Sequence, residues 1–206
     1  MPKGSPELTS ARKEEIINAC LNLYQTMSFK EITIKDIGDA TSFTRTSIYN
    51  YFHTKEEIFL AILQREYQKW VEELSLLEEE DAPSEEKLAK GIAETLDKRS
   101  LMLKILSMNH YDMEENSRQE NLDEFKITYG KTLSKVDDLL KLYCPQKTSE
   151  QRQNFIYALF PFLYGIYPYT YVTQKQKKAM EYAELDFRYH SIYELTFSFI
   201  KQLLEV

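Results

Sequence analysis

Glycine and proline are scarce in this chain, at five and six among 206 residues. All-β architectures built from many tight turns draw heavily on both, so the scarcity favours helices. Cysteine is scarcer still. Cys20 and Cys144 stand far apart with no CxxC or zinc-type spacing, which argues against a disulfide framework and predicts two reduced thiols used in packing. The three histidines, His53, His110 and His190, show no HxxxH spacing, so no metal ion is expected. No apolar run approaches the roughly 18 residues that would suggest a bilayer-spanning helix, and the opening MPKGSPELTSARKEE has no apolar secretory core. The expectation is a cytoplasmic protein without a membrane partner. Catalytic signatures are missing as well: no GxSxG, P-loop, GxGxxG or HExxH stretch occurs, and neither enzymatic activity nor a cofactor is expected.

What is present is ample core material, with 43% hydrophobic residues, 13% aromatic residues and 15 tyrosines. The net charge of −7 is unevenly placed. Residues 1–56 hold seven basic and seven acidic side chains, so the whole excess lies in residues 57–206. A neutral head on an acidic body is compatible with nucleic-acid binding by the head alone, because charge acts locally in salt.

The apolar periodicity is helical throughout, with no strand pattern, and the fold class is all-α. Residues 10–27 place Ile16, Cys20, Leu23, Tyr24 and Met27 on one stripe. Thr33-Ile-Lys-Asp36 reads as a capping box for a short helix over 33–40, and Thr54-Lys-Glu-Glu57 as a second one opening a long helix to about Leu77. Further helices are expected at about 84–97, 100–108, 118–143, 148–171 and 191–205. Glu78–Pro83 reads as a linker and Thr173–Ala179 as a polar loop leading to a short segment around 177–187. Thr148 and Ser191 head capping boxes, and Pro161 and Pro168 are expected to kink or break their helix.

One stretch is unlike the rest. Solvated helix faces are usually filled with Glu and Lys, yet TSFTRTSIYNYF (residues 41–52) crowds hydroxyls, an amide, a guanidinium and phenols. Ile48 and Phe52, one turn apart, point inward and leave Arg45, Thr46, Tyr49 and Asn50 on the opposite side, with Ser47 at the flank. Two short helices joined by a three-residue turn form a helix-turn-helix, whose second helix meets base edges and phosphates in the major groove. Arginine, threonine, serine, tyrosine and asparagine are the residue types that donate to both. Thr33 and Lys55 begin two neighbouring helices, where backbone N–H groups and the positive dipole end favour phosphate.

The run IGDATSFTRTSIYNYF (residues 37–52), followed by His53-Thr54-Lys55-Glu56, resembles the signature of the TetR family of bacterial transcriptional regulators: an apolar residue, then Tyr-x-Tyr-Phe, then a Lys-Glu pair opening the fourth helix. The likeness covers about residues 10–60. Ser42 and Thr46 stand where such proteins usually carry glycine, and a left-handed backbone at Ser42 would be strained. The resemblance implies a homodimeric, repressor-like regulator that binds a pseudo-palindromic double-stranded DNA operator. Its DNA-binding head would be residues 1–55 and its ligand-binding and dimerisation body residues 56–206. It further implies that Thr33, Thr44, Tyr49, Asn50 and Lys55 hold phosphates, that Arg45, Thr46 and Ser47 lie nearest the bases, and that the chains pair through helices at about 148–172 and 191–205.

A small-molecule effector, lipophilic in character, would sit among Trp70, Met102, Leu106, Phe125, Tyr129, Tyr164 and Tyr167. Met102, Met108 and Met113 would supply adaptable walls. The rival reading is a helical adaptor that binds protein through the aromatic C-terminal half and leaves DNA alone.

Overall fold

The computed structural model describes residues 5–79 and 82–205, apart from the side chains of residues 108–110. The side chains of Met108 and His110 therefore lie outside the described residues. Every regular element among the described residues is helical: α1 (Pro6–Tyr24), α2 (Ile34–Asp39), α3 (Arg45–Ile48), α4 (Lys55–Leu76) with a 3₁₀ turn at Leu77–Glu79, α5 (Glu85–Asp97), α6 (Ser100–Glu115), α7 (Gln119–Tyr143), α8 (Ser149–Thr170), α9 (Gln174–Tyr182) and α10 (Ile192–Glu205). None of them is long and apolar enough to cross a membrane.

Local chemistry accounts for most of the helix starts. Ser5 caps α1, with Pro6 preset for the first turn. Reciprocal capping boxes form at Thr33–Asp36 and Thr148–Gln151, and Ser191 and Glu194 exchange the same pair of bonds. A further capping box, Thr173–Gln176, starts α9 where the sequence suggested a polar loop. Of the kink or break expected at Pro161 and Pro168, the break does not occur, since α8 runs unbroken through both prolines. Each removes only one backbone donor, and the remaining turns hold the helix.

The chain folds as two compact units. Residues 1–65 with 109–128 make the first, and residues 66–108 with 129–206 the second. In the first unit, the expected stripe of α1 buries Ile16, Cys20 and Tyr24. Phe59 packs edge-to-face with Tyr24 and Phe29 at 5.0 and 4.8 Å. Ile37, Ile48, Phe52, Ile58 and Ile62 complete this core. Burial pushes the Cys20 thiol up to about 12 and the Cys144 thiol up to about 11, so both are inert packing groups at neutral pH.

In the same unit α2 and α3 approach closely at Gly38. A Cβ on Gly38 would lie 3.2 Å from the Arg45 Cα and 3.4 Å from its backbone nitrogen. A side chain at position 38 would therefore wedge the two helices apart.

The second unit is built on rings. Tyr67, Trp70, Tyr129 and Phe160 interlock at centroid distances of 5.4–6.2 Å, and the Trp70 indole donates to the Thr95 hydroxyl at 3.0 Å. Beside it lies an ion cluster around the buried pair Glu66 and Arg99. Arg99 reaches Glu66 at 3.3 Å and Glu73 at 2.6 Å, and Lys69 meets Glu66 at 3.0 Å. The last helix, α10, packs chiefly on α5 and buries Ile192, Thr196, Ile200 and Leu204.

Gly38→Val is expected to cost about 1–3 kcal/mol by overpacking. Gly38→Ala should cost less, because the gain in helix propensity, about 1 kcal/mol, offsets part of the crowding. Urea denaturation that ranks the two variants equal to the native chain would show that the helices do not meet there. Arg99→Ala leaves Glu66 with Lys69 as its remaining countercharge and should cost about 1–3 kcal/mol, read in the same assay.

Candidate nucleic-acid interface

The candidate surface is assembled from one turn of helix. In α3 and the turn after it, Ile48, Tyr51 and Phe52 are buried, whereas Arg45, Thr46, Tyr49 and Asn50 are exposed and Ser47 is intermediate. The expected inward pair is thus joined by Tyr51, whose hydroxyl accepts from Arg12 of α1 at 3.2 Å. Arg45 lies over the Tyr49 ring at 5.8 Å and donates to its hydroxyl at 3.2 Å, so guanidinium and phenol form one preorganised exposed pair. Thr44 stands at the N-cap of α3 without capping it; its hydroxyl pairs with that of Ser47 at 3.1 Å.

The turn before α3 solves the problem posed by Ser42. Among the described residues only Ala82 and Glu184 combine a side chain with positive φ, so Ser42 bears no left-handed strain. The turn is tied by side chains. Glu15 of α1 accepts the Ser42 N–H, and the Thr41 hydroxyl reaches the carbonyls of Gly38 and Phe43 at 2.9 and 3.1 Å. Hydrogen bonds from Ser42, backbone first, hold the Glu15 carboxyl below its usual range.

Thr33 and Lys55, two further expected phosphate contacts, also have partners within the fold. Both the amide and the hydroxyl of Thr33 donate to Asp36, at 2.9 and 2.6 Å. The Lys55 ammonium lies over the Phe29 ring at 4.5 Å and donates to the carbonyls of Phe29 and Ile32 at 2.6 and 3.1 Å, which closes the α1–α2 connection. What Lys55 offers a phosphate in this conformation is its backbone N–H in the first turn of α4.

Sequence reasoning missed the contact that holds the far end of α3. Thr54–Glu57 was expected as a reciprocal capping box, and only half of it forms: the Glu57 N–H reaches the Thr54 hydroxyl at 3.2 Å. The Glu57 carboxylate turns instead to the His53 N–H at 2.7 Å and to Arg118, which donates through its backbone N–H, Nε and Nη2 at 3.0, 2.6 and 2.9 Å. Burial pushes the Glu57 carboxyl upward, but these donors together hold it below the usual carboxylate range. In the sequence, the only trace of this was an acid at the third position of a helix.

The seven residues read as an effector lining divide between the units. Phe125 belongs to the first and is buried there. Trp70, Met102 and Leu106 are buried in the second, where Tyr129, Tyr164 and Tyr167 are half-buried. Trp70 and Tyr129 share the ring cluster, while Tyr167 stacks on Tyr171 at 4.5 Å. A surface groove of about 470 Å³ between α7 and α8, lined by Leu133, Asp137, Lys141, Ile156 and Tyr157 among others, shares no residue with that set.

Comparison with known proteins agrees with this geometry. The family model described as "Bacterial regulatory proteins, tetR family" matches residues 16–62, and that of the tetracyclin repressor-like C-terminal domain matches residues 64–191. The HTH-type transcriptional regulator YfiR of Bacillus subtilis is 32% identical over 63 residues, a match that spans 31% of each chain. Among solved structures, the fatty acid degradation regulator FadR of Bacillus halodurans superimposes with a TM-score of 0.60 at 17% identity, covering 98% of this chain and 97% of that one. FadR of Bacillus subtilis, in complex with stearoyl-CoA, does so with a TM-score of 0.61 at 16% identity, covering 93% and 97%. The alignment with the curated relative thus spans only about a third of its length, whereas the fold likeness is nearly complete. With a helix-turn-helix head at residues 16–62 and a matched C-terminal domain filling more than half its length, the chain belongs to the TetR family of bacterial transcriptional regulators.

Proposed function

We propose that the protein acts as a cytoplasmic homodimer without catalytic activity, binds a pseudo-palindromic operator and represses transcription until a lipophilic small molecule releases it. The head would be residues 1–55 and the body residues 56–206. The observation that carries the DNA reading is the division of one short segment into a buried side (Ile48, Tyr51, Phe52) and an exposed side (Arg45, Thr46, Tyr49, Asn50). In this reading Arg45, Thr46 and Ser47 face the bases. Thr44, Tyr49 and Asn50 hold phosphates by side chain, Lys55 holds one by its backbone N–H, and Thr33 does so only on leaving Asp36. Two copies would address half-sites about 34–36 Å apart or a multiple of that.

Support for pairing comes from α10 and α8. With Ile192, Thr196, Ile200 and Leu204 buried, α10 still presents Leu195, Phe199 and Leu203 half-exposed. Phe199 stacks on Phe162 of α8 at 4.1 Å, and Tyr157 and Tyr169 of α8 are largely exposed. Apolar surface gathered in this way suits a second copy. The adaptor reading would need the aromatic half alone and leaves the family match over residues 16–62 without a role. For the effector, Trp70, Met102, Leu106, Tyr129, Tyr164 and Tyr167 offer an apolar, polarisable lining. The stearoyl-CoA in the Bacillus subtilis FadR complex makes acyl thioesters the first class to try.

Arg45→Ala is expected to weaken binding to a duplex selected by the native chain by about 1–3 kcal/mol, and Tyr49→Ala to weaken it by a similar amount. Unchanged gel-shift affinity in both variants would remove the DNA reading. An adaptor would also show no salt-dependent affinity for duplex DNA, whereas phosphate contacts release counterions and make binding fall steeply with salt. At a hundredfold excess over its dissociation constant, a long-chain acyl-CoA should raise native stability by about 2.7 kcal/mol and dissociate the DNA complex. Calorimetry showing no uptake of long-chain acyl-CoA would sink the proposed effector class.

A further inference from the structure

We propose that Arg118, at the corner between α6 and α7, is a positioning residue for DNA reading. It rests on the functional reading above and adds a residue outside the expected head. Arg118 lies 61 residues beyond Glu57 in the chain, yet both belong to the first compact unit.

The geometry is that of a clamp. The Glu57 side chain has no exposure to solvent, whereas Arg118 is 38% exposed. Besides its three bonds to Glu57, Arg118 donates through Nη2 to the Tyr51 carbonyl at 3.0 Å. Glu57 in turn accepts the His53 N–H, and the Thr54 hydroxyl donates to the Asn116 carbonyl at 3.0 Å. The chain leaving the reading helix is thus fastened to the residues of one corner at Tyr51 O and Thr54 Oγ1, and between them His53 N is fastened to the Glu57 carboxylate that the same corner holds. Only a guanidinium can do this. Its planar fork presents Nε and Nη2 side by side to the carboxylate while a second N–H of Nη2 serves the Tyr51 carbonyl. Without Arg118, Glu57 would be a buried carboxylate lacking its countercharge, which must take a proton or swing toward water. Swinging out gives up the His53 bond, and the direction of α3 relative to α4 is no longer set. Arg118 does this without touching a base or a phosphate.

The test uses the full chain and a duplex that the native chain selects from a randomised pool. Arg118→Ala, Arg118→Lys and Glu57→Gln should each weaken binding by roughly 5–150-fold. The lysine variant keeps the charge, should not restore affinity, and serves alone if the alanine variant fails to fold. The Arg118→Ala/Glu57→Gln pair should be no weaker than the weaker single, since both remove one interaction. The slope of log affinity against log salt should be unchanged. Amide exchange should quicken at His53 and through residues 45–52 and stay as in the native chain in α5 and α10. Native affinity in Arg118→Ala, a salt slope lowered by about one phosphate contact, full restoration by lysine, additive singles, or uniformly faster exchange would each overturn the proposal. If the native chain selects no duplex, the functional reading fails instead, and the exchange pattern alone decides the clamp.

Discussion

A carboxylate sealed from water must be met by donors or lose its charge, and Glu57 is met by four, from His53 and Arg118. The head's geometry follows from this requirement. Only four residues of α3 are α-helical, and a helix of that length has no stability of its own in water. It exists because both of its ends are held. At the start, Gly38 lets α2 press against Arg45 and Glu15 takes the Ser42 amide. At the finish, Glu57 and Arg118 hold Tyr51 and His53. The exposed residues between can then be chosen for what they touch rather than for helix formation.

This division explains what the sequence disclosed. The two sides of residues 45–52 were legible because inward and outward residues on one helical turn follow from spacing alone. Caps at Thr33, Thr148 and Ser191 were legible for the same reason, since cap and partner lie three residues apart. Glu57 obeyed the capping pattern and still turned its carboxylate elsewhere, because a buried acid seeks its strongest partner and that partner lies 61 residues away. Glu15 and Ser42, 27 residues apart, escaped notice on the same ground. A helix was missed at α9 because a run of lysine and glutamine has no apolar stripe. The capping box at Thr173 was there to be read.

The second unit was harder to read because apolar side chains look alike whether they fill a core or line a cavity. Trp70 and Tyr129 stand in an interlocked ring cluster, and the indole's polar edge is answered by Thr95. Density of rings in a sequence therefore predicts burial without saying whether a cavity lies beside it. The ion cluster around Arg99 shows a related limit. Glu66, Lys69 and Glu73 would pass for the solvated side of α4, yet Glu66 and Arg99 are buried, joined by a residue from the α5–α6 corner.

Ser42 began as the position where glycine was missed, and its ordinary backbone changes what can be built on this scaffold. With Glu15 supplying the tie through the residue 42 amide and no positive φ to accommodate, position 42 accepts any residue that keeps that N–H, which excludes proline and admits long or charged side chains. Position 38 has the opposite character, closed by the Arg45 backbone. A library meant to redirect the reading head can vary residue 42 together with residues 45, 46, 49 and 50, and must keep residues 15, 38, 57 and 118 as they are.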